Sequence, residues 1–234
     1  MAVYPGDIIS YTEMCMEEGV SLQRGMNFRS KGGTSIFLMS VRDGAPYSDQ
    51  VQENGEVLIY EGHDVGKNLA KIPKSVDQPQ FTPNGSLTEN GKFFKTAEDY
   101  KNKQSGPELI KVYEKIKKGI WVYNGVFELI EAWIEEDENR KVYKFKLRVT
   151  DKTIVEKEKR VIELKDLEHN RMIPTAVKLE VWKRDKGRCV ECGSGDNLHF
   201  DHLLPFSKGG TSLMVENIQL LCARHNIKKS NRIL

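Results

Sequence analysis

The chain has 234 residues, enough for one large domain or two ordinary ones, and two is the better expectation. With 38% hydrophobic and 30% charged residues it can build a real core, which excludes disorder throughout. No run approaches the roughly 18 apolar residues of a membrane span, and MAVYPGDIISYTEM lacks the basic start and apolar run of a secretory signal, so a cytoplasmic location without membrane association is expected. The net charge of +2 hides an asymmetry: residues 171–234 carry 11 Lys+Arg against 6 Asp+Glu, a balance of +5 that leaves −3 for the first 170. The basic end is where a polyanion would bind.

From Gly6 to about Thr150, short apolar or alternating runs are separated by Gly, Pro, Asn and Asp. TSIFLMSV (34–41), EVLIYEG (56–62), GVFELIEAWIEE (125–136) and KVYKFKLRV (141–149) read as strands of a barrel or strongly bent sheet. Residues 64–104, rich in Gly, Lys, Asn, Pro and Gln, read as a long loop, which at that length is usually functional or mobile. SGPELIKVYEKIKKG (105–119) has apolar residues at helical spacing between a Pro and a Gly and predicts a helix. The dense charges of 151–170 mark a linker in which a strand and a helix are both open. Beyond it, Val177, Val181 and Trp182 share one helical face that Gly187 ends, just before Cys189.

Three of the four cysteines lie in the last 46 residues, which in a cytoplasmic protein favours metal over disulfides. Cys189-Val-Glu-Cys192 and Cys222-Ala-Arg-His225 are two pairs with the same spacing and 29 residues between them. Together they can supply four N/S ligands in a tetrahedron, the arrangement of a structural Zn²⁺ site. Small buried hydrophobes with a solvated histidine, or a redox pair, are the competing readings. The second pair ends in His, which makes the redox reading poor. A domain of this size has little core of its own, so a metal cross-link has a stabilising task.

Between the pairs stands LHFDHLLPFSKGGTS (198–212), with Asp201 and His202 at the end of an expected strand. Strand neighbours face opposite sides, so the two can divide labour: Asp201 offers a carboxylate to a hard cation, and a neutral His202 can take a proton from water. An Asp-His dipeptide alone more often means an exposed turn. The full order resembles the zinc-knuckle HNH endonucleases: Arg184-Asp185-x-Gly187-x-Cys189-x-x-Cys192-Gly193, Asp201-His202-x-x-Pro205, Gly209-Gly210, Asn217, and Cys222-x-x-His225-Asn226-x-x-Lys229. The resemblance covers 171–234 and implies a ββα-metal fold. It makes Asp201 and Asn226 ligands of a catalytic Mg²⁺ or Mn²⁺, His202 the general base and Asn217 its orienting partner, on a loop between hairpin strand and helix. Cys189, Cys192, Cys222 and His225 would hold structural Zn²⁺. His225 stands where many relatives have Cys. Lys228, Lys229 and Arg232 would lie along the DNA backbone.

Two stretches of the first domain carry a second resemblance. TSIFLMS, Tyr47-Ser48-Asp49, Gly55, Tyr60-Glu61-Gly62, Tyr123-Asn124-Gly125 and Ala132-Trp133 look like the SRA (YDG) domain, a bent β-barrel of the PUA-like superfamily that flips modified cytosine out of DNA. It implies a base pocket with Tyr47 and Tyr60 as stacking rings and Asp49 and Glu61 as polar contacts. Glu61 replaces the usual Thr, and Asp49 sits one residue closer to its tyrosine than in the commonest spacing. Arg24, Arg29, Lys31 and Arg42 could form a local basic groove.

The expectation is an α+β chain. A bent N-terminal barrel with flanking helices (1–150) reads modified cytosine in double-stranded DNA, a linker (151–170) follows, and an HNH nuclease domain (171–234) cuts. Cleavage of both strands makes a homodimer the expected state. The alternatives are an HNH nuclease with a different DNA-binding first domain, and a non-catalytic zinc-containing protein that binds modified DNA.

Overall fold

The computed structural model of the chain describes residues 3–30, 33–137, 140–150, 152–155, 160–163, 172–204 and 209–230. In chain order the first part holds β1 (Ile8–Ile9), α1 (Tyr11–Glu18), β2 (Met26–Asn27), β3 (Ser35–Met39), β4 (Gln50–Gln52), β5 (Val57–Glu61), α2 (Glu89–Lys101), β6 (Glu108–Lys117), β7 (Ile120–Asp137) and β8 (Arg140–Val149). Then come β9 (Lys152–Val155), β10 (Arg160–Glu163), α3 (Thr175–Arg184), β11 (Leu198–His202), β12 (Ile218–Cys222) and α4 (Ala223–Ser230).

Eight strands form one sheet in the order β2-β3-β6-β7-β8-β5-β4, with β1 on β7. The expected barrel does not close, because β2 and β4 stand at opposite ends of the path. Register shifts at Val112/Tyr113 and Leu129/Glu131 mark where the long hairpin bends. One apolar core includes Phe37, Leu58, Phe93, Phe127 and Phe145.

Two expectations fail here. Residues 108–117 are a strand, β6, paired with β3 and β7. Both its faces are buried, so polar and apolar residues do not alternate along it: Lys111 is turned to Glu18, and Glu114 lies fully inside. The long loop contains helix α2, capped by the Thr88 hydroxyl, which accepts from the Gly91 N–H at 3.2 Å. Phe93 and Ala97 are its buried anchors. Of the expected linker, the described parts are the antiparallel pair β9 and β10. Helix α3 forms where its apolar face predicted, and Gly187, at φ +61°, turns the chain against the Trp182 ring.

The C-terminal hairpin β11–β12 shares its core with the large sheet: Ile116 and Val122 pack with Val177, Val181, Leu198, Phe200, Ile218 and Leu220. Burying each such side chain contributes about 1.5–3 kcal/mol. Backbone bonds join the same parts, from Phe200 N–H to Gly6 O at 3.0 Å and from Met172 N–H to Gly55 O at 3.1 Å. At Gly55 (φ +94°) a Cβ would fall 2.1 Å from Met172 O, so only glycine permits this approach. Among the described residues, no helix is long and apolar enough to cross a membrane.

Candidate functional site

The Cys-x-x-Cys turn is closed by backbone bonds from Gly193 N–H to Cys189 O and from Cys189 N–H to Ser194 O, both 2.8 Å. Strand β12 ends at Cys222 and α4 begins at once, which turns His225 back toward the same point. The Cys189, Cys192, Cys222 and His225 ligand atoms lie within 4.8 Å of one another, the one such group among the described residues. His225 Nδ1 is 3.4 Å from the sulfurs of Cys189 and Cys222, and the Cys192 and Cys222 sulfurs are 3.8 Å apart. A tetrahedron with Zn–S near 2.3 Å and Zn–N near 2.0 Å has edges of about 3.5 to 3.8 Å. The four side chains therefore fit a zinc-sized ion. Burial pushes the Cys189 thiol up, but backbone N–H groups of Cys222, Cys192 and Glu191 with His225 outweigh it and hold it at about 6.

Register places Asp201 opposite Gln219 and His202 opposite Ile218 at the loop end of the hairpin. Asp201 Oδ2 accepts from Gln219 Nε2 at 3.1 Å and from Lys229 Nζ, and Lys229 Nζ also reaches the His202 carbonyl. Two oxygen donors thus converge on one cation, a hard set that suits Mg²⁺ or Mn²⁺. Lys229, expected on the DNA backbone, is turned inward instead. Asn226 stands one helical turn before Lys229, on the same face of α4. Lys228 is exposed, and Arg232 lies outside the described residues.

The His202 Nε2 is 2.9 Å from the hydroxyl of Ser212, a buried residue. Among the described residues, Nδ1 has no hydrogen-bond partner. Burial lowers the His202 pKa from its ordinary value, with Asp201 opposing and Lys229 adding to the shift, so the ring is neutral at pH 7. Asn217 lies between the two hairpin strands, not between strand and helix, at the end of a 3-10 turn (Val215–Asn217). Its amide spans the loop: Oδ1 accepts from Leu204 N–H at 2.8 Å, and Nδ2 donates to the carbonyls of Leu204 and Thr211 at 3.0 Å. It fixes the loop that carries Ser212, and Ser212 meets the ring. His199 is turned to Asp7, 2.8 Å away. Pairing the hairpin on paper would have found Gln219; nothing local marks Ser212.

The expected base pocket comes together only in part. Tyr60 is enclosed at 1% exposure, its ring centroid 4.3 Å from Phe37 and its hydroxyl donating to Leu38 O at 3.3 Å. Tyr47 is half-buried and stacks on His63, centroids 5.5 Å apart at 23°. Asp49 accepts from the N–H groups of Ser40 and Glu61, both at 3.1 Å, and burial pushes its pKa up to about 7. Glu61 is buried between Lys144 (3.0 Å) and Arg140 (3.4 Å) and accepts from Ser48 N–H. Arg29, one of the expected groove cations, is paired with Glu108 at 2.9 Å. Lys31 lies outside the described residues.

Residues 189–232 match the family model of the HNH endonucleases. Among solved structures, the chain is similar to the SUVH5 SRA domain in complex with hemi-methylated CG DNA, at 26% identity over 64% of this chain and 90% of that one, with a TM-score of 0.45. The SUVH5 SRA domain bound to fully hydroxymethylated CG DNA aligns at 24% identity over the same shares, TM-score 0.45. SUVH6 from Arabidopsis thaliana in complex with SAM aligns at 21% identity over 63% of this chain and 26% of that one, TM-score 0.39. No curated protein matches the chain.

Proposed function

We propose that the chain is a modification-dependent DNA endonuclease of the type IV restriction kind. Its first domain binds double-stranded DNA at an extruded 5-methylcytosine or 5-hydroxymethylcytosine, and its C-terminal domain hydrolyses a phosphodiester. One observation carries the nuclease half: inside the stretch that matches the HNH model, Asp201 and His202 end the same strand above a Cys3His tetrahedron. The reading half is supported by the SRA-like motif order and by Tyr47 offering a half-buried ring beside the buried acceptor Asp49.

In this reading the neutral His202 takes the water proton at Nδ1, while Ser212 and the Asn217-tied loop hold the ring's other nitrogen. Asp201 and Asn226 hold a divalent ion, which when bound stabilises the charge that builds on the phosphate and leaving oxygen. The Cys3His group takes Zn²⁺ and fixes the start of α4. Cutting both strands takes two such sites or two visits of one, and the reading includes a homodimer.

The test incubates the protein and His202→Ala with Mg²⁺ or Mn²⁺ and matched plasmids that are unmodified, cytosine-methylated or hydroxymethylated. Cutting confined to modified plasmids and lost in the variant is expected. Equal cutting of all three plasmids rejects the reading half, and an active variant rejects the catalytic assignment.

A further inference from the structure

The resemblance pairs Tyr47 with Tyr60 around an extruded base, yet Tyr60 has no face to offer. Its ring is enclosed against Phe37, and its hydroxyl is committed to Leu38 O. The ring that does face Tyr47 is His63, near parallel at 23° with centroids 5.5 Å apart. Tyr47 and His63 are both half-buried residues, whereas Tyr60 is fully enclosed.

We infer that His63 is the second stacking wall of the base pocket, the surface against which Tyr47 clamps an extruded cytosine. The inference rests on the reading of the first domain as a binder of flipped bases and names a residue that reading did not contain.

The two walls are held differently. His63 is pinned through its backbone by Asn90 of α2, which accepts from His63 N–H and donates to His63 O, both at 2.8 Å. Asn90 is itself buried. The ring edge lies against Gly25, where a Cβ would come within 2.7 Å of Nε2, and 3.5 Å from the Tyr60 hydroxyl. Such a ring has little freedom to swing aside. Tyr47 sits instead on the connection between β3 and β4, with Lys74 Nζ 5.7 Å above its ring. A base needs carbon contacts near 3.5 Å on each face, so its walls stand about 7 Å apart. With the ring centroids now 5.5 Å apart, the slot has to open to admit a base. Tyr47 is the wall that moves. Burial lowers the His63 pKa to about 4, so the stacking surface is an uncharged imidazole at neutral pH.

Binding is measured by fluorescence anisotropy in the His202→Ala background, so that cleavage does not interfere. The probes are duplexes with one 5-methylcytosine or one unmodified cytosine. An adjacent 2-aminopurine brightens on extrusion. Base stacking by one ring is worth about 1–3 kcal/mol, roughly 5- to 150-fold. Tyr47→Ala, His63→Ala and the similarly sized, ringless His63→Leu are therefore expected to lose roughly tenfold or more of the preference for the modified duplex. His63→Phe, which keeps a ring, retains it. Thermal melting identifies variants that fold, and the Leu and Phe variants carry the comparison if the alanine does not. Loss in Tyr47→Ala with full preference in His63→Leu overturns the inference and leaves the pocket reading standing. Tighter binding by His63→Leu also overturns it, because the ring is then an obstacle. No preference in the parent protein rejects the pocket reading itself.

Discussion

The Lys178 ammonium lies 2.5 Å from the Glu114 carboxylate, with 1% and 0% of the two side chains exposed, at the place where α3 meets β6. Asn124 completes the cluster, accepting from Lys178 at 2.6 Å and donating to Glu114 at 3.0 Å, and Thr175 donates to Glu114 as well. Burial lowers the Lys178 pKa while Glu114 holds it up. Removing one partner of a buried pair leaves the other charge stranded, at a cost of about 3–5 kcal/mol. Lys178→Met is expected to lose about that much in urea unfolding, and Lys178→Met with Glu114→Gln to recover part of it.

Metal analysis of the purified protein is expected to give one zinc per chain. A strong chelator, or Cys222→Ser, should unfold the C-terminal hairpin, because Cys189 and Cys222 belong to the same core as Phe200 and Leu220. Cleavage should vanish. Loss of zinc with an unchanged melting profile would reject a structural role.

Lys229 meets Asp201 where a divalent ion is proposed to bind. The pair is partly exposed and worth about 0.2–1 kcal/mol. Lys229→Met should therefore bind Mn²⁺ more tightly in the absence of DNA, by up to about fivefold. Electron paramagnetic resonance titration reads this directly, and unchanged or weaker binding would show that the ammonium does not compete.

Asp49 and His63 titrate in opposite senses. The Asp49 pKa is raised to about 7 by burial, against the backbone N–H groups of Glu61 and Ser40, with the Glu61 charge adding and Lys144 opposing. Between about pH 4 and 7 the folded state keeps a proton that the unfolded chain has released, so this contribution to stability falls as pH rises. Burial lowers the His63 pKa to about 4, against Glu89 and Asp64, with Arg24 adding. Between about pH 4 and 6.5 the unfolded chain binds the extra proton, so this contribution rises with pH. The two nearly cancel in the parent protein. Asp49→Asn should expose the rising limb and His63→Phe the falling one, each on the order of 1 kcal/mol per pH unit in urea unfolding. Equal slopes in both variants would contradict the assignment.

Much of the nuclease end was legible because its signals are local. Two Cys/His pairs at fixed spacing meet as soon as a hairpin forms, and Asp201-His202 needs only a strand end. Strands β3, β5, β7 and β8 announce themselves by β-branched and aromatic residues. Strand β6 did not, since its Lys111 and Glu114 are neutralised by Glu18 and Lys178, far away in the chain. Helix α2 was hidden by Asn90 and Gly91 in its first turn, which disfavour a helix on propensity alone. In the first domain motif order singles out Tyr47 and Tyr60, but that Tyr60 is packed on Phe37 and that Asn90 holds His63 depends on residues distant in the chain. Ser212 reaches His202 only through the fold of the intervening loop.

Gly55, where no side chain fits beneath Met172, bears on the products of the proposed cleavage. The glycine, the Phe200–Gly6 bond and the buried lysine leave no slack between the sheet and the hairpin. A nuclease hung on a loose tether would cut over a spread of positions around its target. On the function proposed above, a molecule joined this way would act as a ruler, with every released fragment ending at one constant offset from the base that directs the cut.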